Sequence, residues 1–369
     1  MFKRIFLFFF TYMAAMYFSQ TLIVFWLSKN GFNFSNIIIF FVTSYIVAFL
    51  GIFVLSKIRM NLKPTILLGV LLSALSVVVL IKIFSVYQLY FSAILTGFNV
   101  IFFWIPYNIM HFKFSNENKR GLNSGIYFLA TPIISMTLQP LAGLVAEKFG
   151  FETMFFIGIA MYLIPIFLIR FLPNFEIKLN IIKEFRENKF NWSTFFQGFA
   201  SRINWTLIPI FTLFFIKSPK AFGSFFGYLA IITAITSLFN AAISDKMKNR
   251  KIFFYLFTSL AVLSLIPLAF VENIYYWAIF AGITSMCMYL ANPFWLAFNL
   301  DYYKEIGVEK TIILREVFLN AGYILALFIA VLIFYITSST KISLLIVSLI
   351  ACVLPLASYL QGVYRNKNI

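Results

Sequence analysis

One arginine stands where a charged group is costly. Arg202 lies about nine residues into an apolar stretch, 193–216. At 1.5 Å per helical residue it would sit roughly 13 Å deep in a hydrocarbon core ~30 Å thick. A mid-membrane arginine costs at least ~2.5 kcal/mol. An anionic ligand, a carboxylate from another helix, or snorkelling towards the nearer face could each offset that. None of the twelve Asp and Glu residues falls near a midplane. Asp301 and Glu316 stand close to one surface and Glu147 close to the other; only Glu316, about one turn inside its stretch, is placed as a proton carrier within the membrane. Proton coupling through a central carboxylate is therefore not expected. Reaction chemistry is equally sparse. His111 is the only histidine, and Cys287 and Cys352 lie apart in apolar runs. There is no Asp-x-x-Asp pair, no Gly-x-x-x-x-Gly-Lys phosphate loop, and no base beside a serine or cysteine. An enzyme, a metal site and a nucleotide cofactor are not expected.

The elements that hold these residues are apolar helices. The chain of 369 residues is 62% hydrophobic and 11% charged, against about 45–50% and ~25% in globular proteins. Twelve runs are long enough to cross a bilayer: 5–28, 35–56, 64–83, 86–112, 122–146, 151–172, 193–216, 222–243, 251–271, 273–300, 312–336 and 341–363. The first is too long and lacks a cleavage site for a removable signal. With Met1 inside, twenty-two of the 29 Lys and Arg fall in inner loops and six in outer ones. That bias places both termini in the cytoplasm of a multi-pass protein of the plasma (inner) membrane. The net charge of +17 thus reads as orientation and attraction to headgroups, and nucleic acid is not an expected partner.

The chain also repeats itself. Trp104-Ile105-Pro106-Tyr107-Asn108 ends the fourth span and Trp295-Leu296-Ala297-Phe298-Asn299 the tenth, 191 residues on. Ser56-Lys57-Ile58-Arg59 is matched by Asp245-Lys246-Met247-Lys248, and Thr21-Leu22-Ile23 by Thr206-Leu207-Ile208, at offsets of 189 and 185. Offsets near half the chain predict an all-α protein of two pseudo-symmetric six-helix bundles, 1–172 and 193–369. They are joined by a polar linker, 173–192, which is either an amphipathic segment on the inner headgroups or a solvated tether.

These loops resemble those of the major facilitator superfamily, whose signature is Gly-x-x-x-Asp-Arg-x-Gly-Arg-Lys/Arg. Here Asp245-Lys246-Met247-Lys248-Asn249-Arg250-Lys251 is the fuller copy, with Ala241 at the first glycine's place, while Ser56 replaces the acid of the first copy. Lys119-Arg120-Gly121 before the fifth span and Gln139-Pro140-Leu141-Ala142-Gly143 within it are similar to the family too; the latter resembles a glycine-proline motif of exporters, with two small residues replaced. The resemblance covers the whole chain and implies a secondary carrier working by alternating access. It further implies a cavity lined by spans 1, 4, 7 and 10. Their polar residues at membrane depth are then the expected substrate site: Tyr17 and Gln20; Asn99, Trp104 and Asn108; Arg202, Asn204 and Trp205; Asn292, Trp295 and Asn299. Trp104 and Trp295 could instead belong to interfacial belts, and Asn108 and Asn299 to interhelical contacts. A cytoplasmic latch is expected from Asp245 and Arg250 with Arg120, and on the other half from Arg315 and Glu316. The expected cargo is a small solute such as an organic anion or another metabolite. Efflux of hydrophobic compounds and, further off, flipping of a lipid-linked saccharide are the alternatives. The partners expected are that solute and the bilayer, and the carrier is expected to be a monomer.

Overall fold

The structure is a computed structural model that describes residues 2–55, 58–114, 120–178, 181–187, 190–244, 250–302 and 304–363. Its helices are, in chain order, α1 (Lys3–Lys29), α2 (Phe34–Val54), α3 (Leu62–Ile81), α4 (Val86–Lys113), α5 (Arg120–Phe149), α6 (Phe151–Phe171), α7 (192–215), α8 (Pro219–Ser244), α9 (Lys251–Phe270), α10 (Ile274–Tyr302), α11 (Val308–Thr337) and α12 (Thr340–Leu360). Each expected span falls on one of them. Eleven are long and apolar enough to cross a membrane among the described residues. The one below that mark is α7, which runs without a break from Trp192 to Phe215 but carries Ser193, Thr194, Gln197, Ser201, Arg202 and Asn204. Several of these polar groups are satisfied inside the protein. Ser193 Oγ meets Ser358 Oγ at 2.7 Å, Thr194 Oγ1 donates to Asn299 Oδ1 at 2.5 Å, and Ser201 Oγ donates to the Gln197 carbonyl at 2.7 Å. A helix that pairs its polar side chains internally can be buried despite low hydropathy.

Local signals set the helix ends. Asn33, Asn191 and Ser339 each accept a backbone N–H at the start of α2, α7 and α12. Ser85 and Gln88 form a reciprocal capping box at the start of α4. A left-handed residue makes the turn between α5 and α6 at Gly150 (φ 88°), and between α11 and α12 at Ser338 (φ 53°).

Packing recurs with a shift of six helices. The pairs α1–α5, α1–α6, α2–α4 and α3–α4 have counterparts in α7–α11, α7–α12, α8–α10 and α9–α10. Two long contacts join these sets, α2 with α11 and α5 with α8. The α5–α8 seam is close because Gly143 and Gly223 face each other, and a Cβ on either would collide with the opposite backbone. At that end Glu147 Oε2 accepts from Ser218 Oγ at 2.7 Å and Lys220 N at 3.1 Å, while Phe25 meets Phe222 and Phe34 meets Phe211 edge-on.

The linker forms a short strand and a short helix, Ile182–Glu187. Residues Glu176–Lys178 (β2) pair antiparallel with Arg59–Asn61 (β1), in the loop between α2 and α3. Leu62 N donates to Phe175 O at 2.9 Å, and Arg59 lies 3.5 Å from Glu176 in an exposed pair. Lys178 N then donates to Glu309 Oε1, on the first turn of α11, at 2.7 Å. Ile177 and Ile181 are fully buried, and the ring of Phe185 meets Phe53 of α2 edge-on (5.3 Å) and stacks on Phe318 of α11 (5.8 Å). Protein offers these apolar side chains a drier contact than headgroups do, and the strand pairing satisfies the backbone. The linker is thus a strap across α2 and α11. Phe185→Ala should lower stability in detergent by about 1–3 kcal/mol, because a half-buried ring is lost from an aromatic stack. A denaturation midpoint unchanged from wild type would show that the strap contributes nothing.

Candidate functional site

A cavity of about 240 Å³ lies between the two sets of helices. Tyr17 and Gln20 reach it from α1, Asn204 and Trp205 from α7, Ser285 and Tyr289 from α10, and Thr96 from α4. The seam helices contribute as well, with Ser135 and Gln139 on α5 and Thr233 on α8; Phe40, Phe41 and Phe226 add apolar walls. No Lys, Arg, Asp, Glu or His is among the described lining residues.

The helices that form it depart from regular α geometry at the cavity. A turn at Thr21 and Leu22 interrupts α1, a π-helical turn occupies Ile203–Leu207 of α7, and another occupies Val100–Trp104 of α4. The turn in α1 and the π-helical turn of α7 overlap the repeated tripeptides Thr21-Leu22-Ile23 and Thr206-Leu207-Ile208. Such turns re-aim side chains and are frequent at functional sites. Pro209, which lines the cavity, has no N–H to return to the turn before it.

Behind Gln20 lies a buried polar cluster. Gln20 Nε2 donates to Ser73 Oγ at 3.1 Å and to Tyr162 Oη at 3.3 Å. Ser73 and Tyr162 hydroxyls meet at 2.9 Å. Tyr12 Oη donates to Asn99 Oδ1 at 3.2 Å, and Asn99 Nδ2 donates to the Gly69 carbonyl at 2.7 Å. On the other side Ser285 Oγ donates to Asn204 Oδ1 at 3.3 Å. Of the residues expected at a substrate site, the structure therefore brings Tyr17, Gln20, Asn204 and Trp205 together.

The others stand elsewhere. Asn99 ties α1, α3 and α4. Trp104 packs edge-on against Phe9 and Tyr12. Asn108 is buried further along α4, outside the cavity lining, and Asn292 is half-buried on α10, also outside it. Trp295 is buried and donates to Thr258 Oγ1 at 3.1 Å. Asn299 accepts from Thr194 and donates to the Trp295 carbonyl at 2.8 Å. Asn99 and Asn299 are held by neighbouring helices, the interhelical role small amides play in apolar surroundings.

Arg202 is also outside the lining. Its guanidinium lies 4.8 Å from the ring centre of Tyr45 on α2 and 3.9 Å from that of Tyr323 on α11, and Nη1 donates to the Tyr45 hydroxyl. Two tyrosine rings and a phenol oxygen surround the charge. Nε has no hydrogen-bond partner. Glu316 lies within electrostatic reach of Arg202 and pairs with its neighbour Arg315 at 2.9 Å, largely buried. Arg315 and Glu316, named for the latch of this half, thus pair with each other within α11. Asp245 lies outside the described residues, as do the side chains of Arg250 and Arg120.

Sequence reasoning missed Tyr45, Tyr323, Ser135, Thr233 and Ser285. Restricting the pathway to four spans hid α5 and α8, although Gln139 stands in the proline-containing run read for another reason. Nothing local marks a tyrosine as the partner of an arginine 157 residues away.

The family model of the Major Facilitator Superfamily matches residues 5–193, and the chain belongs to this superfamily of membrane transporters. Two crystal structures of a POT family transporter share the fold. One, in complex with a thioalcohol-conjugated peptide, aligns at TM-score 0.70 and 11% identity over 98% of this chain and 96% of that one. The other, in complex with 5-aminolevulinic acid, aligns at 0.70 and 12% over 99% and 96%. No curated protein sequence matches the chain. The protein is a multi-pass membrane transporter of the secondary type, not an enzyme.

Removing one partner from a buried charge is worse than removing the charge itself. Tyr45→Phe should therefore cost about 1–3 kcal/mol of stability, and Arg202→Met should cost less. The two denaturation curves in detergent check this; a more severe loss in Arg202→Met would mean the arginine is a net stabiliser.

Proposed function

We propose that this protein carries a small, uncharged, partly apolar solute across the membrane by alternating access between two six-helix bundles, 1–172 and 193–369, joined by the strap at 173–192. The observation that carries the reading is the cavity between the two helix sets, aromatic-walled, dotted with amides and hydroxyls, and without a charged side chain in its described lining. A dry cavity of this kind penalises an unpaired charge far more than it penalises a neutral hydrogen-bonding group. The ligands of the two structural neighbours carry charged ends, which this lining has nothing to match. The expectation of an organic anion rested on Arg202, which has Tyr45 and Tyr323 as its neighbours. Twelve crossings with both termini in the cytoplasm are favoured by the six-helix shift in packing and by the bias of basic loops.

In the conformation described, α5 meets α8 at the Gly143–Gly223 seam. Rocking must open this seam to expose the cavity on that side. Asp245, Arg250 and Arg120 are proposed to latch the opposite face, with Arg315 and Glu316 bracing α11.

A thermal-shift screen of the purified carrier against sugars, neutral aromatic compounds and organic anions tests the cargo. Neutral aromatic compounds should raise the melting temperature of wild type and lose that effect in Asn204→Leu, while Arg202→Gln keeps it. An organic anion that stabilises wild type but not Arg202→Gln would reverse the assignment. For the motion, Glu147→Cys with Ser218→Cys, bridged by a short thiol cross-linker, should abolish exchange of such a compound in proteoliposomes. Undiminished exchange after complete cross-linking would rule out opening at this seam.

A further inference from the structure

Most hydroxyl protons in the lining of the cavity are already engaged within the protein. Four hydroxyls of its lining spend their only proton on their own helix: Thr21 on the Tyr17 carbonyl (2.5 Å), Thr96 on Ser92 (2.9 Å), Ser135 on Pro132 (3.1 Å) and Thr233 on Ala230 (3.0 Å). A carbonyl can only accept, so the direction of these bonds is fixed by chemistry. Each oxygen is left with lone pairs and no hydrogen to give. The Ser285 proton goes to Asn204 in the same way. Both amide hydrogens of Gln20 are engaged by Ser73 and Tyr162, which leaves Oε1 as the part of Gln20 free for the cavity. Beside these acceptors, from α1, α4, α5, α8 and α10, the lining carries amide and indole donors on Asn204, Trp205 and Gln139 and the phenols of Tyr17 and Tyr289.

We infer that the solute is recognised through its hydrogen-bond donors: a flat, uncharged molecule carrying N–H or O–H groups on an apolar body, with Gln20 Oε1 as the residue that selects for them. This rests on the reading of the cavity as the carrier's solute site. An anion brings acceptors to a surface already rich in them. A cation would suit the lone pairs and ring faces, but Arg202 and Arg315 against Glu316 leave a buried excess of positive charge on α7 and α11, the former only two residues from Asn204. Neutral donors avoid both penalties. A donor-less isostere would leave desolvated acceptors unpaired, which is how polar sites discriminate most sharply.

Benzamide and N,N-dimethylbenzamide separate the possibilities, since they share ring and carbonyl and differ in N–H donors. With the full-length purified protein, binding by calorimetry and thermal shift should favour benzamide by about tenfold in Kd, although the dimethyl compound is the more apolar. Benzoate and benzylammonium should bind at least as weakly as the dimethyl compound. Gln20→Leu should shrink the preference between the two amides to under about threefold. Thr233→Val, which removes an oxygen whose proton never left its own helix, should lower the preference in the same direction, and serves if Gln20→Leu does not fold. Equal binding of the two amides to wild type, or a preference unchanged in both variants, would overturn the donor rule while leaving a solute-binding cavity. Tighter binding of benzoate would overturn the rule and the uncharged-solute reading together. No binding of any of the four would overturn both, along with the cavity as the site.

Discussion

Everything in this molecule answers to one constraint: a polar group placed among apolar helices must find its partner inside the protein. Water is not there to supply it, and a lost partner costs on the order of 1–3 kcal/mol. The constraint explains why hydroxyls on the helices bend back to their own carbonyls. It explains why Asn99 is bound to Gly69 and Tyr12, and why an arginine at membrane depth is enclosed by two tyrosines. It also defines the site by contrast. The places where polar atoms keep unused capacity and adjoin space are the cavity walls.

The same constraint shapes how the two helix sets can move. Contacts within each set are knitted by specific hydrogen bonds. The contacts between them are mostly apolar: glycine backbones at α5 and α8, phenylalanine edges at the neighbouring end, and the Phe53–Phe185–Phe318 cluster beneath. Apolar faces slide and re-form without stranding a donor or acceptor, whereas hydrogen-bonded faces do not. Two polar contacts depart from this: Glu147 of α5 accepts from Ser218 and Lys220, and Arg202 has tyrosine partners on α2 and α11, one in each set. Any rearrangement that parts α2 from α11 must leave the guanidinium with one ring fewer.

The sequence exposed the architecture because hydropathy and charge are summed over many residues, and errors at single positions average out. The repeats around Thr21 and Thr206 even marked the irregular turns in α1 and α7, since a departure from α geometry needs particular residues locally. The site was legible only in part. Gln20 and Asn204 were visible as polar residues at depth, and both line the cavity. Asn99, Trp295 and Asn299 looked the same in sequence, yet they are interhelical ties, because the direction a side chain faces depends on which helix packs against it. The strand in the linker was hidden for a related reason. Its alternation of Ile and charge fits a headgroup surface as well as a strand, and only the nearness of Arg59–Asn61 decides between them.

By itself, then, the amino-acid order determined that the chain is built of apolar helices long enough to cross a bilayer and that it belongs to a superfamily of membrane transporters. Those are properties of composition and spacing, to which the bilayer responds directly. Tertiary structure alone decided that Arg202 sits between tyrosines of α2 and α11, that α5 and α8 share in the cavity, and that most of its hydroxyl protons are already spent. Each of these depends on which atoms from distant parts of the chain come within a few ångströms of one another, and on the geometry that leaves one lone pair covered and the next one open.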